Sequence, residues 1–197
     1  MQVSNGKGPR TFDPEAIGNA ETTAWASYYR REWRPFLTAA VAMVREGFGM
    51  GRLRTLQGAY YVLRANQKWA PYPDNDPDAA REYMRRFYAL VTRDGDLRID
   101  PVEVSRLEVE WWRLHRDHQY GVIGDEEPLV DALVALYSYV YGVPGETIRE
   151  AARQRVLAME RSDAWVEAGC DPADPLLAEE RAALLASYRA LRAAVSP

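Results

Sequence analysis

Apolar residues recur along this chain at every third or fourth position, and the stretches that carry them are separated by proline, glycine and acidic residues. Ile17, Ala20, Ala24 and Tyr28 share one stripe, and Phe36, Ala40, Val41, Val44 and Phe48 a second that stops at Gly49-Met50-Gly51. Leu53, Leu56, Tyr60 and Leu63 mark a third, Ala80, Tyr83, Phe87 and Leu90 a fourth, and Val104, Leu107, Trp111 and Leu114 a fifth. Such spacing places each set on one side of an α-helix and predicts that side as the core face. The stretch 128–141 is apolar almost all round, which predicts a central, strongly buried helix. Ile148, Ala152, Val156 and Met159 mark a helix over about 145–160. A short helical turn is expected over 162–168, and a last helix runs from Pro175 to about Ala194 through Leu177, Leu184, Tyr188 and Leu191. No alternating pattern predicts a strand.

The starts of these helices are legible in the dipeptide Asp-Pro, which recurs at 13–14, 76–77, 100–101, 171–172 and 174–175. An Asp side chain accepts from the free amides of a first turn, and Pro supplies helical φ where no donor is needed. Glu103, three residues after Asp100, predicts a capping box there. Pro35, Pro128 and Pro144 suit first-turn positions. Two connections stand out as loops, 69–77 and 120–127. The reading is therefore an all-α, single-domain, irregular helical bundle of about eight helices over residues 13–197, with residues 1–12 a flexible polar tail.

Composition narrows the class. A chain of 197 residues with 47% hydrophobic and 27% charged residues has the make-up of a globular protein with a sizeable core. Its net charge of −4 is not that of a dedicated nucleic-acid binder. One cysteine, Cys170, excludes an intrachain disulfide and any multi-cysteine zinc site. No apolar run reaches membrane-spanning length and the N-terminus has no hydrophobic leader, so the expected location is the cytoplasm, with no membrane or nucleic-acid partner. Self-association is left open.

Candidate chemistry concentrates in one helix. Glu108 and His115, seven residues apart, project on nearly the same face with Trp112 between them. A carboxylate beside an imidazole at a core edge suits general acid–base chemistry, a ligand contact or a metal, and equally a structural hydrogen bond. Glu21, on the inner side of the first helix near Tyr28, and Asp131, on the apolar sixth helix, are the expected third partners. A carboxylate-bridged di-iron site is excluded, because no Glu-x-x-His occurs and both histidines lie on one helix. Glycine-rich phosphate loops, a Gly-x-Ser-x-Gly elbow and the kinase motifs are absent from the sequence. The functional expectation is an internal pocket that binds a small, partly apolar molecule or a single metal. His115 and Glu108 are its catalytic pair, and Glu21, Tyr28, Trp112 and Asp131 its ligand-binding residues. Cofactors are not specified. The alternative is a non-catalytic protein–protein interaction or assembly module.

Overall fold

Four of the five Asp-Pro pairs start helices in the computed structural model, which describes residues 8–94 and 97–196. Asp13 accepts from the amides of Glu15 and Ala16 at 3.0 and 3.3 Å, Asp76 from Ala79 at 3.0 Å, and Asp100 and Asp174 from Val102 and Leu176 at 2.9 Å. The fifth, Asp171-Pro172, closes a turn, with Asp171 accepting from the Ala173 amide. The helices are α1 (Pro14–Tyr29), α2 (Trp33–Phe48), α3 (Arg52–Trp69), α4 (Pro77–Val91), α5 (Pro101–Gln119), α6 (Glu127–Tyr141), α7 (Gly145–Glu167) and α8 (Pro175–Val195), with a 3-10 turn at Thr92–Asp94. Helix occupies 78% of the chain and no strand occurs among the described residues, which makes the protein all-α.

Two local expectations are revised. The capping box at Asp100 does not form, because Glu103 is held by Arg106 and the Asp100 amide donates to the Tyr139 hydroxyl at 3.1 Å. The separate turn over 162–168 is instead the last part of α7. Trp165 is buried and donates its indole N–H to the Asp171 carbonyl at 2.7 Å, which ties the helix end to the turn beyond it. Gly169 and Cys170, both at positive φ, then end the helix.

The buried face differs from the predicted one in two helices. In α3 the buried residues are Thr55, Gly58, Ala65 and Trp69, whereas Leu53, Leu56 and Tyr60 are 84%, 55% and 53% exposed. Helix α3 packs on α4, and three of its four buried residues, at 55, 58 and 65, have small side chains. In α5 the buried set is Val104, Ser105, Val109 and Trp112, and Leu107, Trp111 and Leu114 are half-buried. Helix α6 buries Leu129, Val130, Leu133, Leu136, Val140 and Tyr141, yet Asp131 and Ala135 face solvent.

The helices group into two compact units. One contains the chain up to Met50 and from Glu150 onward; there α1 packs on α2 and on α8. A Cβ on Gly18 of α1 would lie 2.7 Å from Leu185 Cδ2, so the absence of a side chain allows the close α1–α8 approach. Ala158, Ala183 and Leu184 join α7 to α8, together with the Ser187 hydroxyl, which donates to the Ala151 carbonyl at 2.8 Å. Part of the segment expected as a polar tail belongs to this unit. Phe12 is buried edge-on against Tyr188, and Arg10 donates to the Val195 carbonyl. Residues 1–7 of that tail lie outside the described residues.

The other unit is Gly51–Arg149, in which α3 packs on α4, α4 on α5 and α5 on α6. Its core includes Met84, Phe87, Leu90, Val104, Val109, Leu129 and Leu133. Among the described residues no helix is long and apolar enough to cross a membrane.

Candidate functional site

Glu108 and His115 both lie half-buried on α5. Glu108 Oε2 accepts from the Tyr88 hydroxyl of α4 at 2.7 Å, and its Oε1 accepts from the Trp111 indole N–H at 3.3 Å. A third polar group from a neighbouring helix is therefore present, and it is Tyr88 rather than Glu21 or Asp131. Burial pushes the Tyr88 phenol well above its ordinary range, and the charge of Glu108 and their mutual hydrogen bond push it further. Tyr88 is thus a neutral hydrogen-bond donor throughout the physiological range. The His115 ring lies 6.2 Å from that of Trp111, tilted by 36°. Among the described residues no three His, Cys, Asp or Glu side chains group in a way suited to a metal ion.

The other expected site residues go elsewhere. Glu21, 1% exposed, is held in the unit that contains α1, α7 and α8. Arg155 of α7 grips both its oxygens, with Nη1 to Oε2 at 2.7 Å. The Tyr188 hydroxyl of α8 donates to the same carboxylate, and the Trp25 indole donates at 3.4 Å. A buried carboxylate with this set of donors is a structural ion pair whose desolvation is offset by charge-assisted hydrogen bonds. Beside it, Glu180 of α8 is also buried. Desolvation pushes its carboxyl up to about 7, and the charge of Glu21 adds to the rise. The Thr22 side chain, Arg155 and Arg181 pull the other way.

Tyr28 packs in an aromatic cluster with Tyr29, Trp33 and Phe36. Asp131 faces solvent at the outer edge of α6 and receives Arg149 at 2.6 Å. Trp112 is buried, its ring 6.0 Å from that of Trp69.

That contact leads to the feature of the Gly51–Arg149 unit with most chemical potential, a cleft of about 260 Å³. The loop after α3 forms one wall, pinned by the Asp76 amide donating to the Lys68 carbonyl at 2.9 Å. Trp69, Tyr72 and Asn75 come from this segment, Arg81 from α4, and Arg113 and Arg116 from α5. Tyr72 stacks on Tyr120 at 4.3 Å between ring centroids. The Arg116 guanidinium lies over the rings of Trp69 and Tyr72, at 5.4 and 5.5 Å. Arg113 is neutralised by Glu110 and Asp117, and Arg81 donates to Asp78. Arg116 meets no carboxylate among the described residues.

Sequence reasoning picked out the 69–77 loop but missed Arg116, Arg81, Tyr88, Arg155 and Glu180; Trp112 packs on Trp69 and does not line the cleft. Arginine is common on helix surfaces, and nothing local distinguishes one that will stack on a distant loop. Comparison with protein-family models, curated proteins and solved structures finds no match to this chain. Fold and site together define a class only: an all-α protein with an aromatic-walled cleft lined by three arginines and by the carboxylates of Glu110 and Asp117.

Proposed function

We propose that this protein binds a small anionic molecule with a flat apolar part, in the cleft between the 69–77 loop, α4 and α5. The observation that carries the reading is Arg116, a guanidinium without a carboxylate partner whose central carbon lies 5.4 and 5.5 Å from the ring centres of Trp69 and Tyr72. Cation–π stacking orients its donors while leaving its charge uncompensated, which suits a carboxylate or phosphate. Trp69 and Tyr72 offer the apolar surface for a ring beside that charge. The volume lies just below the usual range of roughly 300–1,000 Å³ for small-molecule sites, so the ligand is of metabolite size. Glu108 and His115 do not line the cleft. Glu108 instead joins α4 to α5 behind it, so the reading is ligand binding without acid–base catalysis by that pair. The lone thiol Cys170 suits a reducing compartment, and we place the protein in the cytoplasm.

The test is intrinsic tryptophan fluorescence during titration with phenyl phosphate and with benzoate. A saturable change is expected for at least one of them. Arg116→Gln should weaken it by roughly tenfold or more, the loss of one charge-assisted contact. Glu108→Gln should leave it unchanged. No saturable change with either probe, or equal affinity in the Arg116 variant, overturns the proposal.

A further inference from the structure

Helix α3 carries two apolar faces, and its own unit covers one. The exposed face holds Leu53, Leu56 and Tyr60, continued by half-buried Leu63 and by Gln67. Their spacing alternates three and four residues through two heptads, which is the seam of a two-helix coiled coil. The seam runs for about 20 Å along the helix. Its flanks carry only basic charge: Arg52 is exposed on one side, and Arg64 and Lys68 lie on the other with the neutral Gln57, Arg64 donating to Gln67 at 2.8 Å and lying over the Tyr83 ring of α4. From Gly47 to Pro73 the chain contains Arg52, Arg54, Arg64 and Lys68 and no acidic residue at all, although the whole protein has a net charge of −4.

We infer that this face of α3 docks an acidic amphipathic helix from a partner protein. The width of the stripe selects a helix over a membrane surface. A seam of two positions per heptad is narrow, ending in Gln67 and with Gln57 beside it, whereas a helix lying in a lipid interface needs a broader apolar face. Charge selects an acidic partner over a second copy of α3, since self-pairing would bring together two helices that carry Arg52, Arg64 and Lys68 and no acidic residue. Leucines at 84% and 55% exposure supply the apolar area, and the flanking cations supply register and partner choice. Two heptads bury little surface, so the complex is a transient one.

The experiment uses the full chain and a fluorescein-labelled helical peptide of about three heptads, with Leu at the seam positions and Glu at the flanking ones. Saturable anisotropy is expected. The double variant Leu53→Ser/Leu56→Ser should bind roughly tenfold or more weakly, with an unchanged circular dichroism spectrum. Because both side chains are exposed, that variant retains its fold. A peptide with Lys in place of the flanking Glu should bind much less. Equal binding of the Lys peptide, or of the double variant, overturns the inference. So does failure of the Glu peptide, whether or not the chain then sediments with phosphatidylglycerol-containing vesicles or forms a dimer that the double variant loses.

Discussion

The Tyr88 hydroxyl on α4 donates to Glu108 Oε2 on α5 at 2.7 Å, in a bond that burial of the phenol makes hard to replace by water. Removing that donor strands a half-buried carboxylate oxygen. Tyr88→Phe should therefore cost about 1–3 kcal/mol in urea unfolding. Glu108→Gln, which still offers an acceptor, should cost less. A loss below about 0.5 kcal/mol for Tyr88→Phe, the scale of a surface change, would show the carboxylate to be served by solvent.

The Glu21–Arg155 pair predicts a larger effect. Glu21→Gln leaves the guanidinium without its counter-charge in a buried site, and stability should fall by about 3–5 kcal/mol. A double change, Glu21→Leu with Arg155→Met, removes both charges and should recover much of that loss. Chemical denaturation of the three variants checks it. A double variant less stable than the single one contradicts the account.

Glu180 makes stability depend on pH. Its folded-state pKa of about 7 stands above the ordinary 4.5, so the native chain holds the proton more tightly than the unfolded one. The contribution is fully present below about 4.5 and is lost as pH rises through about 7, with a magnitude of roughly 3 kcal/mol. Glu180→Gln stays neutral throughout, so the difference between native and variant stability should decline across that window. Parallel pH profiles for the two proteins would falsify the assignment.

Two leucine truncations test which faces are buried. Leu133 of α6 is 1% exposed, and Leu133→Ala should cost about 2–5 kcal/mol. Leu53→Ala should change stability by no more than about 0.5 kcal/mol. Thermal or denaturant unfolding separates them, and a large loss at Leu53 would mean that its face is covered.

The starts of α1, α4, α5 and α8 were legible because the causes are local. Asp13, Asp76, Asp100 and Asp174 bond to amides two or three residues on, and no distant partner is needed to place them. The end of α7 was not, since Trp165 holds it through a bond to Asp171 that its spacing does not announce. The site was legible only in part. Glu21 reads as an inward carboxylate from its neighbours, but its arginine lies 134 residues away on a surface-looking stretch of α7.

By itself the sequence determined the helical class, the starts of these four helices and the presence of a core, because capping and the 3.6-residue repeat act within a turn or two of chain. Tertiary structure alone decided which face α3 and α5 bury. In α3 the leucine stripe and the Thr55–Gly58–Ala65 stripe are both admissible by spacing, and the small one is the one that is buried. It also decided the partners of the charged groups, Tyr88 for Glu108, Arg155 for Glu21 and two aromatic rings for Arg116. Those partners are set by distances across helices, and periodicity along one helix carries no information about them.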